Sequence, residues 1–238
     1  VRVYGQMGLL QPLRLDAAVY WQTLLPEGAQ TLFGGAEEAK GELKLKGPLA
    51  KFELQHALET PTRMQTQATL AAFDTPLAVD LKHTWEALTL HLPEGKFDTL
   101  PVEEGTLTLS GDLDNYQLKL NTGTQVALTD DAQPAVKLEI QADGDLSHLN
   151  VKPITVTVGE STLRINGALN WQPSLTWDVA VSAKKLDPSI VAKDYPGNIN
   201  AELKSQGSFT EQGIDAVAEL LTLNGSWLTQ PLRGKGNA

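Results

Sequence analysis

Gly105-Thr-Leu107-Thr-Leu109-Ser-Gly111-Asp-Leu113-Asp-Asn-Tyr116-Gln-Leu118-Lys-Leu120-Asn is the stretch whose reading decides the fold. Leu107 and Leu109 precede a turn, and Tyr116, Leu118 and Leu120 follow it, always at alternate positions. A period of two sends the apolar side chains of a strand to one face of a sheet and the Thr, Ser and Lys side chains to the other. Between the runs, Gly111-Asp-Leu-Asp-Asn supplies residue types that accept positive φ and hydrogen-bond their own backbone in tight turns. The stretch is a β-hairpin with one oily face.

The same phrase recurs on both sides of it. Gly41-Glu-Leu43-Lys-Leu45-Lys-Gly47-Pro-Leu49 leads into Phe52-Glu-Leu54, and Val136-Lys-Leu138-Glu-Ile140-Gln-Ala142-Asp-Gly144-Asp-Leu146 leads into Leu149-Asn-Val151. Leu163-Arg-Ile165-Asn-Gly167-Ala-Leu169 leads into Leu175-Thr-Trp177-Asp-Val179. The central glycines are spaced irregularly, by roughly 20 to 65 residues, which excludes a propeller or a strict solenoid. What repeats is a type of hairpin.

Further alternating runs begin at Leu13, Pro76, Leu88, Ile154 and Ile199, while residues 25–40, 94–104 and 127–134 read as loops or turns. In all, about 14 to 17 strands of ordinary length are predicted. A single segment reads as helix, near 187–194, with Asp187 at the N-cap, Pro188 at N1 and Pro196-Gly197 as the stop. Strands do not alternate with helices, so parallel α/β folds are excluded and the class is all-β. Residues 1–238 are expected to be a single fragment of a repetitive β structure without an independent second domain. With no starting methionine and no terminal element, the sequence reads as a piece of a longer protein.

Composition narrows the function classes. The net charge is −10, which argues against nucleic acid as a partner, since that affinity comes from clustered Lys and Arg. Cysteine is absent, so disulfides, zinc–thiolate sites and thiol catalysis are excluded. Aromatic residues make up only 6%, so the apolar face is built mainly from Leu, Val and Ala.

Motifs of chemistry are missing. His56, His83, His91 and His148 have no second ligand at helical metal-site spacing and read as structural histidines. Asp143-Gly144-Asp145 lacks the remaining ligands of a calcium loop and reads as turn chemistry. The pairs Glu37-Glu38, Glu103-Glu104 and Asp130-Asp131 read as solvated surface. No nucleophile elbow, phosphate loop or dinucleotide fingerprint occurs, so neither an enzyme nor a cofactor or metal is expected.

The apolar face is the remaining feature. In a closed sandwich two such faces bury each other, whereas in an open curved sheet the face lines a groove for an apolar ligand. Periodicity alone does not separate the two.

The loosely spaced Gly-x-Leu-x-Leu-x-Gly-x-Leu hairpins, the lack of cysteine, and Leu186-Asp-Pro188 followed by Tyr195-Pro196-Gly197-Asn-Ile-Asn-Ala201-Glu-Leu203 resemble the TamB family of AsmA-like proteins. The resemblance covers most of the chain, and it implies an internal portion of a long periplasmic β-groove, an elongated and curled "β-taco". It also implies an inner-membrane anchor outside this fragment, a partner, TamA, that is a BamA-type outer-membrane barrel, and a role like that of bridge-like lipid transfer proteins. On that basis the expected function is a conduit for phospholipid acyl chains between the two membranes. The alternatives are a chaperone-like scaffold for outer-membrane protein and autotransporter assembly, and a sealed structural β domain. Strand parity then assigns the groove lining to Leu43, Leu45, Phe52, Leu54, Leu107, Leu109, Leu118, Leu138, Ile140, Val156, Leu163, Ile165, Trp177, Val179 and Leu203. Lys44, Thr108, Lys119, Glu139 and Arg164 are assigned to the outer face.

Overall fold

The computed structural model describes residues 2–8, 13–71, 77–91, 99–125, 134–190, 194–210 and 213–237. Seventeen strands account for most of them, and every described ladder is antiparallel. The all-β, antiparallel reading therefore holds. The residues group into two compact units, 1–124 and 125–238.

In the first unit the strands are β1 (Arg2–Gly8), β2 (Arg14–Leu24), β3 (Glu38–Pro48), β4 (Phe52–Thr60), β5 (Met64–Ala71) and β6 (Ala78–Trp85). They are followed by β7 (Leu88–His91), β8 (Thr99–Val102), β9 (Gly105–Gly111) and β10 (Tyr116–Gln125). Consecutive strands pair from β1 to β6, β6 pairs with β9, and β9 pairs with β10. Beyond the start of β9, β10 continues along β8, which pairs with β7. The hairpin that opens the sequence reading is β9–β10, with Leu109 opposite Leu118 and Leu107 opposite Leu120. Its turn is an Asx turn, in which Asp112 Oδ1 accepts from the N–H groups of Asp114 and Asn115 at 2.9 Å each. Gly111 has φ +116°, and a Cβ there would collide with the Asn115 carbonyl oxygen, so this position requires glycine.

In the second unit the strands form a plain meander. They are β11 (Ala135–Gly144), β12 (His148–Val158), β13 (Ser161–Asn170), β14 (Leu175–Leu186), β15 (Gly197–Thr210), β16 (Gly213–Trp227) and β17 (Gln230–Asn237). Each pairs with the next. The β11–β12 turn repeats the device of the first hairpin. Asp145 Oδ1 accepts from the N–H groups of Ser147 and His148 at 2.6 and 3.0 Å and from the Ser147 hydroxyl at 2.7 Å. The carboxylate is held down to a pKa of about 2, first by the Ser147 hydroxyl, then by the backbone N–H groups and the neighbouring His148.

Two local expectations need correction. Residues 25–40 are not all loop, because α1 (Glu27–Leu32) forms there and packs against β7, with Gly34 set against the His91 ring. Residues 94–104 contain β8, whose Pro101 carbonyl accepts from the Thr124 hydroxyl. Of the helix expected near 187–194, the described residues hold a 3-10 turn over Pro188–Ile190, and residues 191–193 lie outside them. Asp187 is its cap, but Asp187 Oδ1 accepts from both Ser189 N–H and Gly197 N–H at 3.0 Å, which ties the turn to the first residue of β15. Asp130 and Asp131, and the rest of the turn predicted there, lie outside the described residues.

Candidate functional site

Residues opposite each other in an antiparallel ladder point to the same face, so register alone assembles the surface. In the first unit one row runs Ala17, Leu45, Leu54, Ala68, Leu81, Leu109, Leu118 across seven strands. Leu43 and Leu107 stand on the same face one row away, and Phe52 lies opposite Leu70. In the second unit one row runs Ile140, Ile154, Ile165, Val181, Leu203, Leu220. A neighbouring row holds Leu138, Val156, Leu163, Ala183 and Ala201, while Val179 faces Gly167 and Trp177 faces Leu169. The fifteen residues singled out by parity thus share the apolar face of their own unit. Lys44, Lys119, Glu139 and Arg164 are exposed on the opposite face, and Thr108 stands with them in the ladder.

Among the described residues of either unit, no second layer covers these faces. Among the described residues, the buried hydrophobic side chains are Ala39, Ala68, Ala142, Val151 and Ala183, and no large side chain is fully buried. A sandwich core of this length would bury its leucines and isoleucines. Here they stay half-buried, shielded by their neighbours along the face. Nor does any Asp, Glu, Lys or Arg described in the strand ladders pair into the apolar rows. A face that is apolar, free of charge and uncovered can take an apolar ligand without desolvating any ion.

Three tryptophans shape this surface in a way parity did not reveal. Trp21 lies opposite Gly41, Trp85 opposite Gly105, and Trp177 opposite Gly207. At each glycine a Cβ would run into the indole, so the ring lies down over the neighbouring strand instead of standing up from the sheet. Trp177 Nε1 donates to Ser205 Oγ at 3.1 Å and Trp85 Nε1 to the Glu103 carbonyl at 3.1 Å, which fixes both rings. The signal was present as cross-strand Trp/Gly pairs, but it is readable only once register is known.

At one end of the second unit's strands, the Leu-Asp-Pro segment and the Tyr-Pro-Gly step are brought together. Val156, Val158, Leu163, Leu186, Tyr195 and Trp227 line an apolar trough of about 720 Å³ there. The rings of Tyr195 and Trp227 are 6.2 Å apart. Ser161, buried beneath, donates through Oγ to the Lys185 carbonyl and accepts from Asp187 N–H. Burial pushes the Asp187 carboxyl upward in pKa, but its bonds with Ser189 and Gly197 outweigh that and hold it below the usual range.

The four histidines fall in different settings. His148 pairs with Asp145 at 2.7 Å in its turn and His91 lies against Gly34, while His56 and His83 stand on the apolar face of the first unit. Among the described residues no three His, Cys, Asp or Glu side chains gather as a metal site.

A family model described as "TamB, N-terminal domain" matches residues 13–238. The chain is similar to the translocation and assembly module subunit TamB of Haemophilus influenzae, with 27% identity over 157 residues. That match covers 63% of this chain and 12% of the relative, so the chain spans a small part of that protein's length. No solved structure matches it. With its hairpins, its Leu-Asp-Pro corner and nearly its whole length accounted for by one family, the chain belongs to the TamB family.

Proposed function

We propose that the chain is a stretch of hydrophobic groove that carries phospholipid acyl chains across the periplasm, as a non-catalytic component of a translocation and assembly module. The observation that carries this reading is the uncovered, charge-free apolar face in each unit. An acyl chain laid on such a face escapes about 0.8 kcal/mol of hydration cost per methylene. Its headgroup stays wet at the open side, so a protein of net charge −10 needs no basic pocket to accept it. A lining of Leu, Val and Ala, lacking deep sockets, lets a chain slide instead of trapping it. In this reading the inner-membrane anchor and the contact with TamA, the BamA-type barrel, belong to other parts of the full-length protein. No helix among the described residues is long and apolar enough to cross a membrane.

Site-specific photo-crosslinking tests the proposal. A photoreactive side chain at Leu54 or Leu138 should yield phospholipid adducts when the protein is mixed with phospholipid vesicles. The same group at Lys119 or Glu139, on the other face, should not. Equal labelling at all four positions would defeat the reading. Adducts with an unfolded outer-membrane polypeptide in cells, and none with lipid, would favour the assembly-scaffold alternative, in which a strand enters by edge pairing.

A further inference from the structure

On the apolar face of the first unit, one row departs from the pattern. It runs Val19, Leu43, His56, Thr66, His83, Leu107, Leu120, with two imidazoles and a hydroxyl on three consecutive strands, β4, β5 and β6. Thr66 Oγ1 lies 2.9 Å from His83 Nδ1. His56 is stacked on Trp21, with ring centroids 5.8 Å apart and planes 4° from parallel, and His83 lies 5.7 Å from Trp85. Two tryptophans therefore bracket the polar row, and the leucine row of Leu54, Leu81 and Leu109 runs beside it.

No described residue of the face carries a charge that would neutralise these histidines. His56 faces Leu43 of β3, Trp21 of β2 and Thr66 of β5; His83 faces Thr66 and, on β9, Leu107. The charged residues of the adjoining positions, Glu42, Lys44 and Lys82, belong to the opposite face. Each histidine is thus the other's titratable neighbour, and burial followed by the proximity of His56 pushes His83 below the ordinary histidine range. Neither ring nitrogen of His56, nor Nε2 of His83, has a hydrogen-bond partner among the described residues. Those nitrogens are not buried, so they stand open to a ligand on this face.

We infer that the His56–Thr66–His83 row is a binding site for the negatively charged head of a single-charge amphiphile, held when the imidazoles are protonated while its apolar part lies along the leucine row. The inference rests on the reading of the apolar face as a ligand trough. Protonation turns each unpartnered nitrogen into a donor and puts positive charge in a half-buried, apolar setting where attraction is weakly screened. The coupling is reciprocal. An anion within about 4–6 Å raises a histidine's pKa by about 1–3 units, and each unit is about tenfold in affinity. Binding of an anion is therefore tight below the histidine range and is lost as pH rises through it. Binding of an uncharged apolar molecule has no such dependence.

The test uses the whole 238-residue chain and two dyes, the sulfonate anilinonaphthalene sulfonate and the uncharged Nile red. Between about pH 8 and about pH 5.5, the ratio of sulfonate to Nile red affinity should rise at least about tenfold. In the double variant His56→Gln/His83→Gln the ratio should change less than about twofold over the same range. An unchanged ratio in the unmodified protein, or an equal rise in the variant, overturns the inference. Decyl phosphate and decanoate in competition at about pH 6 then tell a phosphate head from a carboxylate head, and displacement by neither also overturns it. Should Nile red fail to bind at all, the trough reading falls separately. Imidazole NMR titration of the unmodified protein decides the site in that case, and equally if the variant does not fold. Decyl phosphate must raise the midpoints of His56 and His83 by about a unit and leave His91 and His148 in place. Midpoints that do not move refute the site.

Discussion

Replacing Ile165 by Asp separates an open trough from a sealed core. Ile165 sits mid-row between Ile154 and Val181, with Ile140 and Leu203 one strand further out on either side. It is half-buried, and no charged residue shares its row. Full burial of an isoleucine side chain stabilises by about 1.5–3 kcal/mol, so a half-buried one contributes roughly half of that. Asp is also a poor strand residue, on a scale that spans about 1 kcal/mol. The expected loss is therefore about 2 kcal/mol, a fall of about 4–8 °C in Tm for a chain of this size. An unpaired carboxylate shut in a dry core would instead cost more than about 4 kcal/mol and abolish the fold. Thermal melts followed by far-ultraviolet circular dichroism separate these outcomes. Phospholipid uptake from vesicles, measured on the same samples, should fall sharply because the carboxylate interrupts the apolar row. Arg164→Gln, one residue away on the opposite face, should move Tm by no more than the equivalent of about 0.5 kcal/mol and leave uptake intact. A collapsed fold in Ile165→Asp, or a well-folded variant with full uptake, would refute the reasoning.

Gly207→Val should destabilise by about 1–3 kcal/mol in urea titration, because its Cβ meets the Trp177 indole; pairing it with Trp177→Leu should recover part of that loss, and no recovery would mean the ring is not what excludes it. Asp187→Ala removes the acceptor of two backbone N–H groups and should cost about 1–2 kcal/mol, with faster amide exchange at Ser189 and Gly197 than in the parent. Carboxyl NMR should place Asp145 at about 2. Since its folded pKa lies below its unfolded value, the stability it contributes is present above about pH 4 and is lost as pH falls towards 2. Asp145→Asn should remove that acid dependence from amide exchange in the β11–β12 turn, and a titration midpoint at the ordinary aspartate value would contradict the turn geometry.

Where local sequence decides the structure, the sequence was readable. The β9–β10 hairpin is dictated by period two and by Asp112, which closes its own turn, so Leu109 and Leu118 could be set face to face without coordinates. β8 was hidden because its four residues include Pro101, which argues against a strand, and because its partners β7 and β10 are distant or interrupted in sequence. α1 escaped because six residues that include Gly28 are too few to show a helical period. The 3-10 turn at Pro188 carried helix-start signals, whereas the tertiary bond from Gly197 to Asp187 joins residues ten apart and has no local signal. His56 and His83 continue the apolar parity of their strands, so each alone reads as packing. Only the register of β4, β5 and β6 shows that they share a row with Thr66.

Register also bears on how the apolar face is kept distinct from the polar one. Exposed apolar surface invites association, and long unpaired strand edges invite it further. Here the polar face carries the rows that counter it: Lys44, Gln55, Gln67, Lys82, Thr108 and Lys119 in the first unit, and Glu139, Thr155, Arg164, Ser182 and Glu202 in the second. Opposite signs alternate with neutral residues in the second set, so it is solvated without strong self-repulsion. Charge is thus kept to one side of every described ladder. A single slip of register would move a full row of charges onto the oily side, and with it a desolvation cost of several kcal/mol per charge. The same segregation that keeps the apolar face free of ions therefore also fixes the register of each strand, and a stretch that lost it would lose strand pairing and the apolar face together.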